Sequence, residues 1–231
     1  MPKKSADPWA APAASVRIAV WDLPTRLFHW TLVGLIAFSW WTAEEHYYDL
    51  HLWSGIAVLT LITFRLLWGI FGSSTSRFAN FVRGPAAVRD YLSGKWRGIG
   101  HSPLGALSVV ALLGLVAVQA GLGLFASDED GLLLGPLSHL IGGDASEEVT
   151  DLHEDLFNVL LVLIAVHVAA VLFYWVARKQ DLIGPMVTGS AELDPETEPM
   201  RPGKWWVALI CLIAAIAISR WILAGAPPLG N

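Results

Sequence analysis

The stretch DLHEDLFNVLLVLIAVHVAAVLFYW, Asp151 to Trp175, constrains the fold of this chain most. It is a nearly unbroken apolar run, yet it holds two histidines, His153 and His167. A bilayer core takes about 20 apolar residues per helix, and backbone in lipid must satisfy its own hydrogen bonds, so such a run spans as a helix. Five segments qualify: Leu27–Thr42, His51–Phe71, Pro103–Phe125, Leu156–Val176 and Trp205–Leu223. The first is short, with Trp40 and Trp41 placed for its far interface. A chain that is 55% hydrophobic and 15% charged is no ordinary soluble domain, and tryptophans recur at the ends of its apolar runs as interfacial anchors do. The expected class is an all-α membrane protein.

The connecting segments alternate in charge. Lys3, Lys4, Arg17 and Arg26 precede the first span; Arg77, Arg83, Arg89, Lys95 and Arg97 follow the second; Arg178, Lys179, Arg201 and Lys204 follow the fourth. The first loop, AEEHYYD, and the third, SDEDGLLLGPLSHLIGGDASEEVTD, hold no Lys or Arg. Cationic loops stay on the cytoplasmic side, which puts the N-terminus in the cytoplasm, the acidic loops outside and, after five spans, the C-terminus outside. The polar, proline-bearing N-terminal stretch has no apolar core of a cleaved signal. The lone Cys211 can form no intrachain disulfide and reads as a small packed or lipid-facing thiol. The segment GSAELDPETEPMRPG sets the fifth span apart from the first four, and that span carries no histidine or acid. It reads as an appendage, a packing or partner helix.

Ionisable groups inside a membrane are costly and point to function. On one helix the 14 residues from His153 to His167 turn through about 1400°, about 40° short of four turns, and rise about 21 Å. The two imidazoles therefore share a face at two depths. His51 opens the second span at the outer level with His153, and His29 opens the first span at the inner level with His167. Two imidazoles from opposite sides are what a six-coordinate haem iron takes, and helical bundles house such cofactors. A closed zinc or copper site wants three or four convergent ligands, which neither level supplies. Two haems b fit best. Gly34, Gly55, Gly114, Gly121 and Gly123 offer a flat ring room, or simply let helices approach closely.

With these residues in view, the chain resembles the bacterial cytochrome b561 and nickel–iron hydrogenase b-type cytochrome family from Val20 to Gly189. VWDLPTRLFHW opens the first span, LHLWSG the second, FRLLWGIFG closes it, GHSPLG precedes the third, and GPMVTG follows the fourth. The resemblance implies a four-helix transmembrane bundle holding two haems b, with axial ligands at His29, His51, His153 and His167. It also implies electron exchange with membrane quinone on behalf of a dehydrogenase, hydrogenase, reductase or c-type cytochrome outside the bacterial inner membrane. Residues 1–19 would then be a polar tail, 20–189 the dihaem domain, 190–203 a polar linker, and 204–231 a fifth helix with a short tail. That fifth helix lies outside the family's usual four-helix core, and Ser102 stands where the family often has Asn.

Two further residues are candidates for the cofactor-binding site. Arg65, in the inner third of the second span, reads as a haem propionate partner or as a cation snorkelling to headgroups; Arg26 has the same two readings. His101 reads as a hydrogen-bond partner of a propionate or a quinone carbonyl, or as a capping residue. His46 and His139 fall in outer loops and read as solvated. The acidic outer loops suit a basic redox partner or are a solvated face. One rival function is a stand-alone oxidoreductase acting on superoxide or ferric iron with quinone. Another is a histidine-relay transporter, against which stands the absence of acids within the spans. Motifs of soluble enzymes are absent, and no nucleic-acid partner is expected.

Overall fold

A computed structural model describes residues 15–96, 98–127 and 134–227. Lys3, Lys4, Arg97, Asp128, Glu129 and Asp130, which entered the charge argument, lie outside them. The described elements are, in order, β1 (Val16–Ala19), α1 (Leu23–Glu44), α2 (Tyr48–Phe71), α3 (Phe78–Phe81), α4 (Pro85–Leu92), α5 (Pro103–Gly123), a 3-10 turn (Ser138–Leu140), α6 (Gly143–Val176), α7 (Ile183–Thr188), β2 (Ser190–Leu193) and α8 (Trp205–Leu223).

Local chemistry sets the helix starts. The Asp22 carboxylate accepts from the Thr25 amide at 2.7 Å to cap α1, and the Ser102 hydroxyl accepts from the Gly105 amide at 3.1 Å to cap α5. Pro24 and Pro103 sit in the first turns, where their missing N–H costs nothing. Ser102 thus has its bonding accounted for within the helix start. α6 begins at Gly143, well before the apolar run at Leu156. No proline or glycine interrupts the acidic stretch after Gly143, so a helix nucleated in the membrane continues out of it.

Among the described residues four helices are long and apolar enough to cross a membrane: α2, α5, α6 and α8. The first expected span, α1, is a 22-residue helix that does not reach that threshold; Thr25, Arg26, His29, Thr31 and Ser39 dilute its apolar content. It packs along α2 nonetheless, while α5 pairs with α6 and α2 with α5. One core joins them, with Phe28 from α1, Val58, Ile62, Phe64 and Trp68 from α2, Val116 from α5 and Leu160 from α6.

Of the two readings of the fifth expected span, the packing helix is the one seen. α8 lies against α2, and its Cys211, Ala215 and Ser219 are buried. They recur every four residues on one face, the small-residue spacing that lets two membrane helices approach closely. Nor is the segment before α8 free. β2 pairs antiparallel with β1, Val16 opposite Leu193 and Ala19 opposite Ser190. The Met200 amide donates to the Ala19 carbonyl at 3.0 Å, and Ser74 and Arg201 bond at 3.0 Å. Gly189 turns the chain into this ribbon at φ 90°, where its carbonyl accepts from Val20 and Trp21. A Cβ there would stand 3.0 Å from the Trp21 carbonyl oxygen, so the position favours glycine on two counts.

Candidate functional site

The histidine face of α6 meets two groups of residues. Toward the acidic end, His51 of α2 and His153 of α6 lie with ring centroids 6.1 Å apart at 90°. The His51 Nδ1 is 2.9 Å from the Ser39 carbonyl oxygen, and the His153 Nδ1 is 3.0 Å from that of Gln119. A carbonyl only accepts, so both Nδ1 atoms carry the proton and both Nε2 atoms keep a free lone pair. The Gln119 side-chain amide also donates to the His153 carbonyl at 2.8 Å, a second tie from α5 to α6. Gly123, one turn further along α5, lies under the same ring: a Cβ there would meet His153 Cε1 at 3.1 Å.

Toward the basic end, His29 of α1 and His167 of α6 are near enough for their charges to interact. Here the surroundings are sparser. His167 Nδ1 has the Ser108 hydroxyl at 3.3 Å, and the buried His29 Nδ1 has no hydrogen-bond partner. His29 packs edge-on to Trp30 at 4.9 Å, whose indole N–H donates to the Met186 carbonyl at 3.1 Å. Arg26, one turn before, donates to the Val187 carbonyl at 2.5 Å. α7 thereby braces the start of α1.

Arg65 is 2% exposed, and its guanidinium lies 4.9 Å above the Phe78 ring. Among the described residues it has no ion-pair partner, and its Nη1 is buried without a hydrogen bond. The nearby Asp22 carboxylate is otherwise engaged, accepting from Trp68 Nε1 and the Ser76 hydroxyl, each at 3.1 Å, besides its capping bond. His101 sits between Trp21 and Phe81, centroids 4.6 and 4.4 Å away, with Nδ1 sealed and unpartnered. Burial first, and then the Arg65 charge, pushes its imidazole down to about 3, so the ring is neutral. His46, in left-handed conformation at φ 59°, and His139, in the 3-10 turn, are exposed and apart from both groups.

Among the described residues no three His, Cys, Asp or Glu side chains converge on a metal-sized point. The imidazoles come in twos. Compared with known families, residues 20–189 match the model of prokaryotic cytochrome b561. The chain belongs to the prokaryotic cytochrome b561 family. It is a mostly helical membrane protein, a b-type cytochrome of electron transfer, and it binds haem b. Comparisons with curated proteins and with solved structures gave no match.

The residues of this cytochrome fit the group. A metal bonded to two imidazoles at about 2 Å each separates their centroids by about 6 Å, and His51 and His153 stand at that spacing with both Nε2 lone pairs free. At Gly34, Gly55, Gly114 and Gly121 an added Cβ would meet no atom within 4 Å. Close helix packing does not account for those glycines. Gly55 follows His51 by one turn and shares its face, where a flat ring needs clearance.

The ties around His51 and His153 differ in how far the sequence announces them. Gln119 carried a signal, being a polar side chain inside the otherwise apolar Pro103–Phe125 run. The Ser39 carbonyl carried none, because backbone acceptors are common to every residue.

Proposed function

We propose that this cytochrome carries two haems b, one between His51 and His153 and one between His29 and His167, and passes electrons between membrane quinone and a redox protein outside the inner membrane. The observation that carries this reading is the crossed pair His51–His153, each ring fixed through Nδ1 to a main-chain carbonyl so that Nε2 is presented for ligation. The haems supply one-electron carriers, and the chain's residues do the rest. α2 and α6 hold the outer imidazoles in place; α1 and α6 hold the inner ones. Arg65, a buried cation with no ion pair among the described residues, suits a propionate of the inner haem. His101 offers an unpartnered nitrogen to a propionate or a quinone carbonyl.

The cationic loops put the N-terminus in the cytoplasm and the acidic end in the periplasm. The C-terminal end of α8, five helices on, is then periplasmic too. The outer partner is a c-type cytochrome, a dehydrogenase or a hydrogenase presenting a basic face to the acids of α6. A reduced-minus-oxidised visible spectrum with pyridine haemochrome quantification tests the cofactor count. Two low-spin b haems per chain are expected, and His167→Ala should lose the inner one while largely keeping the outer. Unchanged haem content in that variant would sink the assignment.

A further inference from the structure

A cleft of about 350 Å³, with no histidine in its lining, lies between the end of α4 and the end of α6. Local chemistry folds the chain around it. After α4 the Gly94 amide donates to the Tyr91 carbonyl at 3.0 Å and the Lys95 amide to that of Asp90 at 2.8 Å. Gly94 makes this turn in left-handed conformation at φ 73°. The turn brings Trp96 edge-on to Tyr91, ring centroids 5.8 Å apart. After α6 the Gln180 amide donates to the Tyr174 carbonyl at 3.0 Å, which holds Gln180 beside the same cleft. The Tyr91 and Tyr174 hydroxyls meet at 2.6 Å. Two phenols that share one hydrogen bond use only one of their two hydrogens, and among the described residues no acceptor takes the other. Arg178 is near enough for its charge to bear on the Tyr174 hydroxyl, and among the described residues it makes no ion pair. The rest of the wall is apolar and bare: Leu92, Leu104 and Phe173 are 70%, 39% and 57% exposed. Leu104 and Phe173 belong to α5 and α6, whose lengths and apolar content suit the bilayer.

We propose that this cleft binds one anionic phospholipid. Its phosphate takes the free phenol hydrogen and the Arg178 guanidinium, whose fork of donors matches phosphate oxygens. An acyl chain leaves along Leu104 and Phe173. The two helix ends work against an anion, with about half a negative charge each. Arg89, Lys95, Arg178 and Lys179 exceed them and outnumber the flanking Asp90 and Asp181. Asp181 is moreover engaged by the Ile183 and Gly184 amides, at 2.9 and 2.8 Å. A free phosphate would gain nothing from the apolar wall, and an uncharged lipid nothing from Arg178. The bound lipid fastens α4 to the end of α6, and the proposal does not rest on the haem count.

Native mass spectrometry of the delipidated full-length protein in detergent tests it, with phosphatidylglycerol, phosphatidylcholine and inorganic phosphate as probes. One phosphatidylglycerol should be retained in preference to phosphatidylcholine, and excess inorganic phosphate should not displace it. Arg178→Gln should weaken its binding about tenfold, as the loss of a hydrogen bond to a charged group does. Joint Tyr91→Phe and Tyr174→Phe keeps the rings, removes both hydroxyls and should weaken it severalfold. Arg17→Gln removes a cation of β1, outside the cleft, and should leave binding unchanged. Haem content, read from the visible spectrum, reports that each variant is folded, since none of these residues is a proposed haem ligand. Equal retention of the two lipids, or displacement by phosphate, would overturn the proposal. So would an Arg17→Gln loss equal to that of Arg178→Gln, or full retention in the Arg178 and tyrosine variants.

Discussion

His51 and His153 stand edge to face across the gap between α2 and α6, their centroids 6.1 Å apart, each ring pinned by the carbonyl of a residue on a third or fourth helix. Ser39 lies on α1 and Gln119 on α5. All four helices of the bundle therefore set this one pair, two by supplying the rings and two by orienting them.

Gly123 and Gly55 separate two kinds of clearance around that pair. Gly123→Ala presses a methyl against His153 at 3.1 Å and should tilt the ring, shifting the spectrum of the haem proposed for that pair with its occupancy largely kept. A Cβ added at Gly55 meets no atom within 4 Å, so Gly55→Leu should leave the helices intact while excluding haem from the proposed His51–His153 site. Circular dichroism against haem content reads the difference; full haem content in Gly55→Leu would remove the glycine from the cofactor's surroundings.

Asp22 ties the start of α1 to the end of α2 through Thr25, Trp68 and Ser76. Asp22→Ala removes the cap, costing about 1 kcal/mol, and strands the indole N–H of Trp68, which is 1% exposed, for about 1–3 kcal/mol more. Thermal unfolding in detergent should report a marked loss of stability. A loss below about 1 kcal/mol would mean that Trp68 finds another acceptor.

His101 makes stability depend on acid. Its ring protonates near 6.5 in the unfolded chain but only near about 3 in the folded one, so in that interval the unfolded state binds the extra proton. Stability from this group is complete above about 6.5 and falls as pH drops toward 3. His101→Phe, which keeps an aromatic ring between Trp21 and Phe81, should flatten that part of the acid limb. Unfolding curves for the two proteins between pH 4 and 7.5 make the comparison, and equal slopes would contradict it.

Ala215 is 0% exposed where α8 meets α2, and Cys211, the only cysteine, is 3% exposed one turn away. Overfilling such a contact costs about 1–3 kcal/mol, so Ala215→Phe should lift α8 and open the thiol to a maleimide probe. Labelling as slow as in the wild type would show that the contact yields elsewhere.

Much of this architecture was legible in the letters. Runs of apolar residues mark α2, α5, α6 and α8 because lipid leaves a helix few alternatives, and the spacing from His153 to His167 projects both onto one face. What the letters hid was tertiary. The docking of α8 shows only as Cys211, Ala215 and Ser219 recurring every four residues, a pattern that many lipid-facing helices share. The acids before Leu156 looked like loop because charge argues against the membrane, whereas helix continuity depends on backbone bonds that continue in water. The brace of α7 on α1 and the carbonyls behind His51 and His153 are main-chain contacts between residues far apart in sequence, to which side-chain chemistry gives no clue.

The ribbon of β1 and β2 also has a bearing on biogenesis. Val16 leaves the ribosome long before its partner Leu193, with α1, α2, α5 and α6 made in between. Contacts so distant along the chain close late. Until they do, the helix ends beside this ribbon are untied, and the interior is open from that end while the last helix is still being synthesised. The seal comes on after the interior has been built.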